Sequence, residues 1–424
     1  MKRYATRPVI AWAFYDWANS AFATTVMAGF FPLFFKQYWA GGLDSTASTF
    51  QLGLGNAVAS LLIVLAAPLL GAIADRGGLR KRFLLLFALL GMACTAALGA
   101  VGEGEWAAAL GLFVAATVGF MGANVFYDAL LTVVAREQDW DVVSALGYAL
   151  GYLGGGLLFG VNVAMTLSPA SFGLEGPAQA VRFAFFSVGL WWLLFSVPLM
   201  LMVREPPVAR RLPGGGLVRA GYRQVRDTFA HIRQLRPVFL FLVAYWLYID
   251  GVDTIVRMAV DYGLAIGLEQ THLIGALLIT QFVGFPAALA FGWLGQRLGA
   301  RRGIYLAIGV YVGVTLWATV IGAPWEFYVL AACIGLVQGG IQALSRSLYA
   351  RLIPADKAAE FFGFYNMLGK FAALLGPLMV GYVSLASGSH RAGMLSLILL
   401  FVSGAWLLSR VEVVGEGRDR PADR

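Results

Sequence analysis

The stretch GAIADRGGLRKR, from Gly71 to Arg82, closes one apolar segment of the chain and leads into the next. A degenerate copy, GWLGQRLGARR from Gly292 to Arg302, closes a second apolar segment far downstream. In both copies a glycine precedes an acid or amide and an arginine, and further cations follow. The duplication predicts two parallel, related halves, which is an architecture of transporters.

The composition is that of an integral membrane protein. Of the 424 residues, 59% are hydrophobic and 13% are charged, whereas soluble domains carry roughly 25% charged residues. The mean hydropathy is +0.75. The net charge of +8 comes mainly from cations between apolar runs, a pattern of membrane orientation and not of nucleic-acid binding. We therefore expect contact with membrane lipid and no nucleic-acid partner.

Twelve windows of about 20 apolar residues are long enough to cross a bilayer. They lie near 10–36, 50–74, 83–102, 106–135, 143–168, 179–203, 237–266, 273–296, 303–322, 325–350, 359–386 and 392–410. The pattern predicts an all-α integral membrane protein, with twelve transmembrane helices in two six-helix pseudo-repeats.

The only long connection runs from Arg204 to Arg236, and it splits the spans six and six. It predicts an N-terminal six-helix bundle at 1–203, a cytoplasmic linker at 204–236 and a C-terminal six-helix bundle at 237–424. From Gly221 on, the linker has two interpretations. It is either a basic amphipathic helix on an anionic membrane surface or a flexible tether.

Most of the 31 Lys and Arg residues fall on one side of the predicted membrane. Only Lys36, Arg182 and Arg391 fall on the opposite side. The positive-inside rule then places both termini in the cytoplasm of a cell whose cytoplasmic membrane holds the protein.

The stretch from Gly71 to Arg82 looks like the loop-two-three signature of the major facilitator superfamily, Gly-x-Leu-x-Asp-Arg-x-Gly-Arg-Lys/Arg. It departs from that signature at Ile73 and by one extra residue before Arg80. In that superfamily the acid holds the cytoplasmic gate closed. The resemblance implies a gating role for Asp75, supported by Arg76, Arg80 and Lys81.

Further stretches resemble a narrower family, the unknown major facilitators related to the fungal vacuole amino-acid effluxer. They are AWAFYDWANSAF (Ala11 to Phe22), SALGYALGYLGGG (Ser144 to Gly156), GGIQALSRSLYARLIP (Gly339 to Pro354) and EFFGFYNMLGKFAALLGPL (Glu360 to Leu378). The resemblance implies a twelve-helix facilitator that exports amino acids. The fourth span lacks the buried arginine of many proton antiporters in the superfamily, which argues against simple drug/proton exchange.

Charged residues inside the spans are the candidates for the transport site, because such residues usually face a bundle interior or a water-filled path. In facilitators the first, fourth, seventh and tenth spans line the central cavity. We expect Asp16 or Asp128 to face Arg346 or Lys370, so that the ammonium and carboxylate of a zwitterion could displace the pair. The alternative is a permanent interhelical salt bridge or a gate lock. The full predicted substrate-binding set is Tyr15, Asp16, Asn19, Asp128, Gln342, Arg346 and Lys370.

Asp250, Asp253 and Arg257 lie at spacings of three and four in the apolar run from Pro237 to Leu268, which places them on one face of a helix. Asp253 and Arg257 can pair within the helix, which leaves Asp250 unpaired. We assign the three residues to proton coupling, with Asp250 as the proton carrier.

Together these features predict a secondary active transporter that moves a small polar or zwitterionic solute with protons. An amino acid is the first candidate and efflux the favoured direction. We expect a monomer that is not an enzyme and that needs no cofactor or metal, since no metal-ligand spacing, nucleophile motif or phosphate loop is present. Two alternatives remain open: a lipid or amphiphile flippase on the same fold, and an intramembrane sensor or enzyme.

Overall fold

The structure is a computed structural model that describes residues 6–206, 214–231, 235–265, 270–321, 323–371 and 375–412. Throughout these ranges the regular elements are helices, as a chain in lipid requires, because a helix satisfies its own backbone donors and acceptors. Ten of the described helices are long and apolar enough to cross a membrane.

The first half consists of six long helices. They are α1 (Arg7–Trp39), α2 (Ser45–Gly77), α3 (Arg80–Leu98), α4 (Trp106–Val134), α5 (Trp140–Leu167) and α6 (Pro177–Met202). Within α1, Phe22–Phe30 and Phe35–Trp39 are π-helical. Such wider turns are rare in proteins, and those that occur often lie at functional sites.

The second half follows a short connecting helix, α7 (Gly214–His231). Its helices are α8 (Arg236–Ala265), α9 (Gln270–Leu298), α10 (Ala300–Ala318), α11 (Pro324–Leu352), α12 (Ala358–Phe371), α13 (Leu375–Ser387), α14 (His390–Leu395) and α15 (Leu397–Ser409).

Two predicted spans differ in detail from the helices observed. The eleventh span, expected as one helix over 359–386, is described as α12 and α13, and residues 372–374 lie outside the described ranges. The ninth span corresponds to α10, which is absent from the ten apolar helices. Arg301 and Arg302 at its start lower its hydropathy.

The distribution of apolar and charged side chains is the reverse of that in a soluble protein. Leu65 is 70% exposed and Leu385 is 85% exposed, while Asp250 and Glu360 are fully buried. An apolar outer surface suits contact with lipid tails, and buried charge is then retained inside the bundle.

The connecting segment begins at the end of the bundle where α2 turns into α3. Glu205 accepts hydrogen bonds from the backbone N–H groups of Arg80 (3.0 Å) and Lys81 (2.7 Å), and these are free donors at the start of α3. Val411, just after α15, lies at the same end, since its carbonyl accepts at 3.1 Å from Nη1 of Arg301, at the equivalent turn between α9 and α10. We call this end of the bundle the linker end.

Candidate functional site

A cavity of about 470 Å³ lies between the two halves. The first half contributes residues from α1, α4 and α5, and the second half contributes residues from α8, α9, α10, α11 and α12, with Met394 of α14. Its polar lining includes Asp16, Asn19, Asn124, Asp128, Asp253, Gln281, Gln338, Gln342, Arg346 and Asn366.

Five of the seven predicted substrate-binding residues line this cavity: Asp16, Asn19, Asp128, Gln342 and Arg346. Tyr15 is fully buried and is not among the lining residues; its ring packs 5.1 Å from that of Tyr127. Lys370 belongs to α12, but its side chain lies outside the described part of the chain.

Arg346 of α11 is the centre of the polar end of the cavity. Its Nη1 donates to Oδ1 of Asp128 at 3.0 Å and lies 3.9 Å from Oδ2 of Asp16. Its other nitrogens bind Ser144, with Nε 2.9 Å from Oγ and Nη2 2.8 Å from the carbonyl oxygen. Because Asp16, Asp128 and Ser144 belong to the first half, the guanidinium joins the two halves.

Aromatic rings enclose the same guanidinium. Its central carbon lies 4.4 Å from the ring centre of Tyr148 and 4.9 Å from that of Trp12, within the range of attraction between a cation and an aromatic face. Trp12 is fixed in turn, since it stacks on Tyr127 at 4.5 Å and donates to the Tyr127 carbonyl oxygen at 2.9 Å. The rings pack around Arg346 beside the carboxylates.

The carboxylates have further partners. Oδ2 of Asp16 accepts from the hydroxyl of Tyr127 at 3.1 Å, and Oδ2 of Asp128 accepts from Nδ2 of Asn366 at 3.0 Å. Asn366 lies on α12, so Asp128 has contacts with two helices of the second half. The arrangement is consistent with both interpretations made from the sequence, because it lines a cavity and also ties the halves together.

Tyr148 and Tyr152 are site residues that sequence reasoning missed. They are four residues apart on α5 and both line the cavity. A Cβ built on Gly339 of α11 would lie 2.7 Å from the Tyr152 ring, and one on Gly284 of α9 would lie 2.9 Å from it. Those glycines let Tyr152 cross from the first half into the second. The tyrosine spacing within SALGYALGYLGGG was the available signal.

Asp75 bridges the two halves at the linker end. Its carboxylate accepts from the backbone N–H groups of Ala359 (3.1 Å) and Glu360 (2.9 Å), at the start of α12. It also forms a salt bridge with Arg80 at 2.7 Å, and Arg80 reaches the carbonyl oxygen of Ala355 at 3.2 Å. A carboxylate is stabilised at this position, because the first N–H groups of a helix have no partners within the helix.

The other two predicted gate residues have different contacts. Lys81 donates from Nζ to the carbonyl oxygens of Met200 (2.9 Å) and Val203 at the end of α6, within the first half. Arg76 donates from Nε to Gln224 of α7, and Gln224 donates in turn to the buried carboxylate of Glu360. Arg80 therefore contacts the second half directly and Arg76 is linked to it through Gln224, whereas the described contacts of the Lys81 ammonium lie within the first half. Gating by these residues stays a prediction.

A second bridge at the linker end joins α5 to α11. Arg351 binds Asp141 with both terminal nitrogens, at 2.8 Å and 2.9 Å, which is the strong bidentate form of the pair. Gly292, the equivalent of Gly71 in the downstream copy, packs here, and a Cβ on it would lie 2.5 Å from that of Ala145. Gly71 likewise packs against the second half, where a Cβ on it would lie 2.2 Å from the carbonyl oxygen of Ala359, so each copy of the turn places a glycine against the opposite half.

Asp250 does not line the cavity, unlike Asp253. The sequence suggested that it is unpaired; this is wrong, since its carboxylate accepts from the N–H groups of Leu375 (3.1 Å) and Gly376 (3.0 Å), and from Thr254 at 3.3 Å. It thereby caps the start of α13. The pairing of Asp253 with Arg257 falls on a side chain outside the described ones, and proton coupling stays a prediction.

Comparison with known proteins identifies relatives over nearly the whole chain. The family described as "Vacuole effluxer Atg22 like" matches residues 38–419. The uncharacterized MFS-type transporter YxiO of Bacillus subtilis (strain 168) is 37% identical over 413 residues, covering 97% of this chain and 96% of that protein. Autophagy-related protein 22 of Yarrowia lipolytica is 27% identical over 302 residues, covering 64% of this chain. That match spans only 50% of the fungal protein's length.

The fold also matches a solved structure. The crystal structure of the human organic anion transporter MFSD10 (TETRAN) superposes with a TM-score of 0.68 at 17% identity, covering 96% of this chain and 99% of the other. At this identity the likeness concerns the fold alone. The twelve-helix major facilitator fold, in two six-helix pseudo-repeats, is thereby confirmed.

Proposed function

We propose a function for this chain from one premise: it belongs to the family of Atg22-like vacuole effluxers, and is an MFS-type transporter, not an enzyme. It is a multi-pass membrane protein. Its substrate, coupling ion, direction of transport and location are our proposal. The protein is a secondary active transporter that carries a small zwitterionic solute, with an amino acid as the first candidate, by alternating access between two halves.

The observation that carries the proposal is the three-membered charge cluster of Arg346, Asp128 and Asp16 between the halves. It lines the cavity, so a solute can reach it, and it bridges the halves, so a solute that replaces its contacts changes what holds them together. Carboxylate binding to Arg346 and ammonium binding to the aspartates would separate Arg346 from Asp128. That would remove one of the contacts that hold the halves together, beside those of Asp75 and Arg351 at the linker end.

The charge of the solute follows from the cost of separating a buried pair. Removing one partner of such a pair costs about 3 to 5 kcal/mol, because the other charge is left buried without compensation. A purely anionic or purely cationic solute would leave that charge uncompensated. A zwitterion supplies both replacements at once, and its two charged groups have the short separation that a contact pair also has.

Protons are the proposed coupling ion. Among the described lining side chains, the carboxylates of Asp16, Asp128 and Asp253 outnumber the guanidinium of Arg346. A proton on one of them would reduce the excess negative charge when the aspartates are not engaged by an ammonium group. Asp253 lines the cavity whereas Asp250 does not, so Asp253 takes over from Asp250 as our preferred proton carrier.

Direction and location complete the proposal. Efflux is favoured because relatives are described as effluxers. The linker end carries most of the cations, so we place it and both termini in the cytoplasm, with the protein in the cytoplasmic membrane as a monomer. A lipid flippase and an intramembrane sensor or enzyme, the two alternatives, are not favoured by the relatives.

The test compares solutes that differ in one charge at a time. Purified protein is heated with each standard amino acid and, for any that stabilises it, with the N-acetyl form, which lacks the ammonium, and the methyl ester, which lacks the carboxylate. We expect stabilisation by the intact zwitterion alone, and its loss in Asp128→Asn. Asp44→Asn, at an exposed helix cap outside the cavity, is the matched control.

Transport is then measured in liposomes that contain an internal pH dye. A dye signal with the stabilising amino acid, retained in Asp44→Asn and lost in Asp128→Asn, supports proton-coupled transport. Equal stabilisation by the ester or the N-acetyl form would contradict recognition of a zwitterion. Transport without a dye signal would contradict only the proton coupling.

A further inference from the structure

The connecting helix α7 packs against both halves at the linker end. A Cβ on Gly221 would lie 2.6 Å from Ile73 of α2, so the two helices are in close contact. Gln224 and Thr228 are buried on the same side. Gln224 accepts from Arg76 of the first half and donates to Glu360 of the second. This face of α7 is therefore fixed in the structure, and neither a loose tether nor an unattached surface helix describes it.

The depth of α7 follows from its contact with α2. Ile73 lies four residues before Gly77, the last residue of α2, which is about 6 Å along the helix axis. The interfacial layer on each side of the hydrocarbon core is about 5 to 8 Å thick. Contact with Ile73 thus places α7 about one helical turn inside the end of α2, a depth comparable with the thickness of that layer.

The opposite face of α7 is exposed and has two parts. Val218 and Tyr222, four residues apart, form an apolar edge and are 54% and 64% exposed. Beside it lie the exposed cations Arg219, Arg223 and Arg226. The only described acid on this face is Asp227, which lies 3.6 Å from Arg226.

We propose that this face of α7 is a docking surface for anionic phospholipid, with Val218 and Tyr222 against the acyl chains and Arg219, Arg223 and Arg226 on the headgroup phosphates. An apolar edge beside cations is the composition of helices that lie in the membrane interface. Each such cation near an anionic surface adds to the attraction. The other face, through Gln224, connects the bound lipid to Arg76 of the first half and to Glu360 of the second.

The experiment measures which lipids the full chain retains. Protein is reconstituted in bilayers of equal parts phosphatidylglycerol and phosphatidylcholine, and the retained lipids are counted by native mass spectrometry. The test variant is Arg219→Gln/Arg223→Gln/Arg226→Gln. The control, Arg136→Gln/Arg302→Gln/Arg410→Gln, removes the same charge from exposed positions near the linker end but outside α7. All six side chains are exposed, so melting temperatures should match that of the parent.

We expect the parent and the control to retain phosphatidylglycerol several-fold over phosphatidylcholine, and the test variant to lose that preference. Absence of a preference in the parent, or equal loss in both variants, would overturn the proposal. A photoreactive benzoylphenylalanine in place of Tyr222, irradiated in cells, adds a second readout. Cross-links to phospholipid support the proposal, whereas cross-links mainly to a protein would reassign the surface. Neither readout depends on transport, so its outcome is independent of the proposed function.

Discussion

Nη1 of Arg346 lies 3.0 Å from Oδ1 of Asp128, across the contact between the two halves of the protein. Arg346 is 1% exposed and Asp128 is 7% exposed, so each charge depends on the other for compensation. The pair can serve as a substrate site, as a lock or as both, and variants that change one or both charges separate these roles.

Arg346→Gln should destabilise the protein by about 3 to 5 kcal/mol, because it leaves Asp128 buried without its counter-ion. The double variant Asp128→Asn/Arg346→Gln removes both charges of the pair and should recover part of the melting temperature, since Asp16 is then the one carboxylate of the cluster left without Arg346. If the pair binds solute, amino-acid binding and transport stay absent in the double variant. Recovery of transport together with stability would show that the pair is only a lock.

Asp75→Asn should favour the form that is open at the linker end. It weakens charge-assisted hydrogen bonds to the N–H groups of Ala359 and Glu360 and to Arg80, and bonds to charged groups are worth about 1.5 to 3 kcal/mol each. We expect a shift of about tenfold or more in the equilibrium, since about 1.4 kcal/mol corresponds to a factor of ten.

The measurement is the rate at which a membrane-impermeant thiol reagent, added from the linker side, labels Gln338→Cys in the cavity. Cys94 and Cys333 are first replaced by alanine. Asp44→Asn makes the same chemical change at the other end of α2 and should leave the rate unaltered. Equal labelling in Asp75→Asn and the parent would contradict a gating role.

Gly71→Ala should produce the same opening by steric conflict. A Cβ at this position would lie 2.2 Å from the carbonyl oxygen of Ala359. In the variant, α2 therefore cannot stay as close to α12 as it does in the structure. Gly53→Ala on the same helix meets nothing within 4 Å. That control should leave labelling unchanged and raise stability by up to about 1 kcal/mol, as alanine favours helix over glycine. If the thiol reagent labels Gly71→Ala as slowly as the parent, α2 and α12 move apart without opening the cavity. That result would contradict the expected opening.

Asp250→Asn should lower the melting temperature. An asparagine has one acceptor oxygen and presents its amide N–H groups to a site lined by the donors of Leu375, Gly376 and Thr254. We expect a loss of about 1 to 3 kcal/mol, the penalty for a buried group without a partner. Thr254→Val, which removes only the 3.3 Å bond, should cost less. An unchanged melting temperature together with lost pH dependence of transport would restore Asp250 as a proton carrier.

The sequence by itself determined the membrane character, the positions of the spans and the duplicated turn at the linker end. These are properties of hydrophobic length and local spacing, which each segment carries without its neighbours. The turn from Gly71 to Arg82 was recognisable for the same reason, and it led to the inter-half contact of Asp75. Likewise Asp16, Asp128 and Arg346 were identifiable one by one, since a charge inside a span is costly wherever it lies.

The sequence and the family resemblance narrowed the central ion pair to Asp16 or Asp128 with Arg346 or Lys370, and tertiary structure decided which of these groups meet. Arg346 and Asp128 are 218 positions apart, and the pattern on either helix does not specify which helix lies opposite. The same applies to Asp250, whose partners begin a different helix, and to Gln224, whose role arises only where α7 crosses the contact between the halves. Packing of helices brings these side chains together, so the pairings belong to the fold as a whole and not to any segment of the chain.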